Sequence, residues 1–366
     1  MTPGSSRRTA SRLLQAALVG TVAVGLVLVA LEVGLRLWNA VQVSRERARQ
    51  GVDPGAERFW ATYDEELGYR LTPGFGEVNE RGYLGPVRGP KSDRFRVLVL
   101  GDSLGFDGDG AADTYVGRLE AMLLSDTGLA PLEVINASVS GYTNYQELAY
   151  LRKYGVELEP DLVGVGFVLN DLHRFLHTFR VEDGRIVGQS HSFAEEAEDA
   201  VRRPLIRLAR RSWALLWLKN RFRLLGRIAE ATAADGYTFE YRPDFASAWR
   251  PDSWPPIEEQ LAEMRQLGRR HGFELFVHLF PYAQQLRSDY LERDRSYVLA
   301  PQVRLAEICA RLGIPFLDLT PDLSRDHFLD DDVHLTSTGR QLVAERLAGF
   351  LDERRLIPEA AVEPEP

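Results

Sequence analysis

The sequence predicts an α/β fold: a doubly wound (flavodoxin-like) three-layer sandwich around a parallel five-stranded sheet, preceded by an N-terminal transmembrane helix. Three observations predict it. From Arg94 onward, short apolar runs alternate with stretches of helical period, at a spacing that needs crossover connections between parallel strands. The residues with chemical potential stand just after those runs, where such folds gather their chemistry. Near the N-terminus, 19 residues from Leu13 to Leu31 carry no charge.

The elements follow in order. Val97–Leu100, within RFRVLVLGDSLGFDGDG, reads as a strand covered on both faces. Asp113 is placed to cap a helix with Val116, Leu119 and Leu123 on one face. Residues 134–136 form a second strand. Thr143 and Gln146 have capping-box spacing ahead of a helix bearing Tyr145, Leu148 and Leu151. Residues 162–168 make a third strand. The run IEEQLAEMRQLGRRHG is a helix with Ile257, Leu261 and Met264 inward and Gly272 at its end. Residues 274–280 and 314–319 supply two more strands, and a last helix presents Val343, Leu347, Phe350 and Leu351.

Composition narrows the function classes. The 45% apolar and 27% charged content is that of a globular chain, and the formal charge of −9 argues against a nucleic-acid binder. Cys309, the single cysteine, sits at an apolar position of a helical pattern, so no internal disulfide forms. Leu13–Leu31 is long enough to cross a bilayer, with Arg7, Arg8 and Arg12 before it and Trp38 after it. The expected organisation is a cytoplasmic head (1–12), a signal anchor (13–35), a stalk and lead-in (36–93), a main domain outside the cytoplasm (94–355) and a loose acidic tail (356–366). A cleaved signal peptide is the rival reading, and Arg36, Arg45, Arg47 and Arg49 leave the orientation nearly balanced. Residues 172–255 interrupt the alternation with a helical, arginine- and tryptophan-rich insertion, either packed over the sheet or lying on a membrane surface.

The chemistry lies at the strand ends. Ser103 follows the first strand, NASVSG leads from the second to Gly141, Asn170 and Asp171 close the third, and DDDVHLTSTG follows the last. A serine hydroxyl needs a base to become nucleophilic, and histidine titrates near neutrality. A carboxylate must hold that imidazole, and Asp331 stands three residues before His334, with Asp330 and Asp332 as rivals for the role. Gly141 offers an unobstructed N–H and Asn170 an amide to an oxygen that becomes negative. Two other groupings are weaker. Asp107, Asp109 and Asp113 lack calcium-loop spacing, and His173 and His177, one helical turn apart, lack the glutamate of a zinc motif. No metal or cofactor is expected.

These four blocks, in this order, resemble the SGNH/GDSL hydrolase superfamily over residues 94–352. The resemblance implies that Ser103 is the nucleophile, His334 the general base and then acid, and Asp331 its orienting carboxylate. It implies an oxyanion hole made by the N–H groups of Ser103 and Gly141 and the Asn170 side chain. The chain departs from the pattern at Val168, where glycine is usual, and at Asp107, where another glycine is often found. The segment NERGYLGP is similar to one in membrane-anchored bacterial members associated with surface polysaccharides. Three functions are compatible: a serine esterase acting on short-chain or carbohydrate acetyl esters, an O-acyltransferase on cell-surface glycan, or a glycan-binding protein with an idle triad. In either enzymatic reading, activity rises as His334 loses its proton.

Overall fold

The structure, a computed structural model, describes residues 33–34, 60–126, 128–182, 185–192, 236–329 and 333–359. The anchor segment Leu13–Leu31, the helical run of the insertion (202–231) and Asp331 lie outside the described residues. Among the described residues, no helix is long and apolar enough to cross a membrane.

The described residues from Trp60 onward belong to a unit spanning Arg58–Ala197 and Asp235–Pro366. Its centre is a five-stranded sheet of β3 (Phe95–Gly101), β4 (Leu132–Asn136), β5 (Leu162–Phe167), β8 (Glu274–Leu279) and β9 (Phe316–Asp318), ordered β4-β3-β5-β8-β9. Every neighbouring pair is parallel. In β5 all six side-chain positions are buried, as expected for a strand covered on both faces.

The faces separate by strand parity. Gly164 and Gly166 of β5 share a face with Phe276 and His278 of β8. A Cβ on Gly164 would overlap the Phe276 ring. One on Gly166 would lie 2.8 Å from the Tyr115 hydroxyl and 3.0 Å from His278 Nε2. Tyr115 opens the helix Tyr115–Ser125, and Phe350 of the last helix, Ser337–Glu353, packs on Phe276. Phe167, one residue from Gly166, points the other way and stacks on Trp254 beside the helix Pro255–His271. Helices therefore cover both faces, and the predicted three layers are present. Burial holds His278 neutral, pushing its pKa down to about 3, while Nε2 meets the Tyr115 hydroxyl at 3.0 Å.

Several local expectations are corrected. Thr114, not Asp113, caps the first long helix, its hydroxyl accepting from the Gly117 N–H at 2.9 Å. Thr143 and Gln146 form no capping box. The Thr143 hydroxyl instead donates to the Arg174 carbonyl, and the Gln146 amide donates to the Leu67 carbonyl. Tertiary partners outcompeted the local cap. The insertion opens not on a helix but on an antiparallel hairpin, β6 (His177–Glu182) with β7 (Arg185–Ser192). The tail is packed as far as Glu359: Ile357 is buried and the Pro358 carbonyl accepts from Ala130.

The lead-in residues 60–93 carry a second hairpin, β1 (Ala61–Asp64) with β2 (Gly68–Leu71). It is fastened to the domain by Asp64, which receives Lys153 Nζ at 2.8 Å and the Tyr154 hydroxyl at 2.6 Å. Within NERGYLGP, the Leu84 N–H donates to the Asn136 carbonyl, adding a bridge at the end of β4.

Candidate active site

Four loops meet at the carboxyl end of the sheet. After β3, Asp102 caps the short helix Ser103–Phe106, its Oδ1 accepting the Leu104 N–H at 2.8 Å. Ser103 is the first residue of that turn and is half-buried. The loop after β4 runs tightly alongside. Val139 N–H donates to the Gly101 carbonyl at 3.0 Å, and Asn136 Nδ2 donates to the Gly105 carbonyl at 2.8 Å. Only glycine fits at 105, because a Cβ would overlap Ser138 Oγ. Gly141 follows with φ +77°, a left-handed conformation that side chains disfavour. His177 packs on it, so that a Cβ there would overlap the imidazole, and the Tyr69 hydroxyl lies 3.0 Å from the same point.

Beyond β5 the chain turns sharply. Asp171 Oδ2 accepts the Val168 N–H at 2.8 Å, and the Asp171 N–H donates to the Val168 carbonyl at 2.9 Å, which presents Asn170 between them. Val168, at the position where glycine is usual in the resembling superfamily, is buried in the core.

The histidine loop is built as a clasp. Leu329 N–H donates to the His334 carbonyl at 2.7 Å and Thr336 N–H to the His327 carbonyl at 2.9 Å. Asp113 then ties this clasp to the segment after Ser103. Its Oδ2 takes Arg340 Nη2 at 2.6 Å and its Oδ1 takes Arg118 Nη2 at 2.5 Å. Arg340 Nη1 reaches the Leu335 carbonyl at 2.9 Å and Arg118 the Ser337 carbonyl at 3.1 Å. The Asp109 N–H, accepted by Oδ2 at 3.0 Å, and then these two arginines hold the Asp113 carboxyl down to about 2.

The electrostatic centre of the site is Asp102. It is 1% exposed, and burial pushes its carboxyl up to about 6, against the opposing pull of the Leu104 N–H, the charge of His334 and the Asn170 side chain. Ser103's own turn, Asn170 and His334 thus converge on one carboxyl. Two further acids are buried with it. Glu147, on the helix Asn144–Tyr150, is raised well above the usual range by burial and then by Asp102. Asp171 is raised likewise by burial, then Glu147, then Asp102. Among the described residues, Asp102 Oδ2, both Glu147 oxygens, Asp171 Oδ1 and Asn170 Oδ1 have no hydrogen-bond partner.

Sequence reading placed Ser103, Gly141, Asn170 and His334 after strands: Ser103 lies just beyond β3 and Asn170 just beyond β5, whereas Gly141 and His334 lie further along the connections that follow β4 and β9, and Asp331 lies outside the described residues. It missed Glu147, Tyr69, Arg118 and Arg340. None stands in a motif, and each reaches the site from a different element. The histidines 173 and 177 are not on a helix. His173 Nε2 meets Ser247 Oγ at 2.9 Å and the Asp244 carbonyl at 3.2 Å, while His177 begins β6. Of the Asp107, Asp109 and Asp113 grouping, Asp113 is engaged by Arg118 and Arg340.

Residues 99–342, two thirds of the chain, match the family model of GDSL-like lipases and acylhydrolases. The chain belongs to that family. No curated protein sequence matches the chain significantly. Among solved structures, this GDSL-family chain is similar to the lipase/acylhydrolase from Enterococcus faecalis, with 16% identity over 73% of this chain and 100% of that one, at a TM-score of 0.41. It is also similar to TesA (15%, 70% and 98%, TM-score 0.41) and to Axe2, an acetylxylan esterase from Geobacillus stearothermophilus (14%, 70% and 94%, TM-score 0.40).

Proposed function

We propose that the protein is a serine esterase that hydrolyses short-chain O-acyl esters, carbohydrate acetyl esters among them, through an acyl-enzyme. The observation that carries this reading is the convergence on Asp102 of Ser103's turn, the Asn170 side chain and the charge of His334, in a chain of an acylhydrolase family. Ser103 Oγ adds to the ester carbonyl while His334 takes its proton. The tetrahedral oxyanion is received by the N–H groups of Ser103 and Gly141 and by the Asn170 amide. The carbon–oxygen bond to the alcohol breaks as His334 returns the proton to it. Water, deprotonated by His334, then adds to the acyl carbon, and Ser103 leaves with the proton. Asp331 orients His334 in this scheme. The uncharged run Leu13–Leu31 supports an anchored protein, and we place this domain outside the cytoplasm.

The test is hydrolysis of p-nitrophenyl acetate. Ser103→Ala is expected to lower kcat/KM by about 10³-fold or more, and an alkyl fluorophosphonate is expected to add its mass to Ser103 alone. Turnover by Ser103→Ala at the parent rate overturns the reading. Transfer of the acetyl group to an oligosaccharide hydroxyl faster than to water would convert the hydrolase into a transferase.

A further inference from the structure

The lead-in hairpin lies outside residues 99–342, yet it makes a direct bond to the loop of Gly141. The Tyr69 hydroxyl, on β2, donates to the Ser140 carbonyl at 2.8 Å. That carbonyl and the Gly141 N–H are the two ends of one planar peptide unit. In a trans peptide they point in opposite directions, so a donor that fixes the oxygen also fixes the aim of the N–H. The bond also draws electron density toward the oxygen and leaves the N–H a stronger donor. Fixing matters at this peptide in particular, since Gly141 has no Cβ to restrict its rocking.

Tyr69 is itself held rigidly. It is fully buried, and its backbone carbonyl receives the Tyr142 hydroxyl at 2.7 Å. Its ring packs edge-on against Tyr142, Phe179 and Trp60, with centroids 5.3, 4.6 and 5.7 Å away. Burial, with the Asp102 charge behind it, keeps the phenol protonated and hence a donor. The hairpin is anchored independently through Asp64, Lys153 and Tyr154.

We propose that Tyr69 is a positioning residue of the oxyanion hole: its hydroxyl clamps the Ser140–Gly141 peptide so that the Gly141 N–H faces the oxygen that becomes negative. This rests on the esterase reading above. The lead-in is thus part of the catalytic apparatus, although it belongs to none of the four blocks.

Tyr69→Phe removes the hydroxyl and little else. With enzyme concentration set by fluorophosphonate titration of active sites, kcat for p-nitrophenyl acetate is expected to fall about 10- to 100-fold, short of losing an oxyanion donor outright. KM should stay within about twofold, because the clamp acts on the transition state. The rate of phosphonylation of Ser103 should fall with kcat, since that reaction also places an anionic oxygen in the hole. Tyr154→Phe deletes a hydroxyl that fastens the same hairpin without touching Ser140, and kcat per active site is expected to be unchanged. Parental kcat in Tyr69→Phe, with Ser103→Ala inactive, overturns the clamp and leaves the esterase reading standing. Turnover by Ser103→Ala overturns both. Should Tyr69→Phe not fold, 3-fluorotyrosine placed at 69 keeps the ring and strengthens the donor. A measurable rise in kcat then supports the clamp, and an unchanged kcat overturns it.

Discussion

The two ends of the central sheet treat buried charge in opposite ways. At the amino end of β3, Arg96 is 2% exposed and every branch of its guanidinium is used: Nε on Glu133 at 2.6 Å, Nη1 on the Leu158 carbonyl and Nη2 on the Gly89 carbonyl at 3.0 Å. At the carboxyl end, Asp102, Glu147 and Asp171 are no more exposed, yet each leaves at least one oxygen without a partner. The first arrangement holds the strand entry and the 89–91 segment together. The second is costly to the fold, and buried groups left in that condition mark places where stability was not the sole requirement. The difference separates the part of the sheet that sustains the structure from the part where reactive groups collect.

The sharpest way to break this contrast is at Arg96. Truncation to alanine strands Glu133 and two carbonyls in the interior, and Arg96→Ala should lose about 3–5 kcal/mol in urea unfolding. Specific activity per folded molecule should remain at the parent value.

Glu147→Gln should do the reverse. Its carboxyl is held above the ordinary range by burial, so the unfolded chain ionises first as pH rises. The stability this acid contributes is therefore complete below the unfolded value, near 4.5, and is lost as pH climbs toward the folded one. Glutamine cannot ionise, and the melting temperature at pH 8 should approach that at pH 5 by on the order of 5 °C relative to the parent. A parent protein equally stable at both pH values would contradict the protonated state of this cluster.

Asp102→Asn is the smallest and most discriminating change. The carboxylate favours the charged form of His334, and the two are electrostatically linked. With asparagine in its place the imidazole should lose its proton at lower pH, so the acid limb of the kcat/KM profile should move down by about half a unit to one unit. An acid limb that stays in place would show that Asp102 is silent toward the reaction, and one that moves up would show that it does not favour the charged imidazole.

The sequence carried the sheet well because each of its strands is a short apolar run bounded by polar turns, and burial on both faces needs no other signal. Ser103 and Asn170 could be singled out as candidates because each follows such a run directly, while Gly141 and His334 stand further along the connections after β4 and β9. Other features depended on distant partners. The Thr143 and Gln146 side chains could have satisfied a local cap, but Arg174 and Leu67, supplied by remote segments, took them instead. Asp113 reads as a cap from its neighbours and becomes an ion-pair bridge only when Arg340, 227 residues on, arrives. Tyr69 stands 71 residues before its partner Ser140, in a segment that reads as polar lead-in. Periodicity reports which face is buried, not which remote group will meet it there.

The glycines of β5 set an order on how this interior can drift. Gly164 and Gly166 surrender the volume that the Phe276 ring, Tyr115 and His278 occupy on the same face of the sheet. Enlargement at 164 is thus barred until the aromatic at 276 has first become smaller. That order, shrinking 276 and then filling 164, passes only through a cavity, which a fold tolerates better than an overlap of atoms. In a laboratory lineage carrying both changes, the loss of the ring should always be the older one.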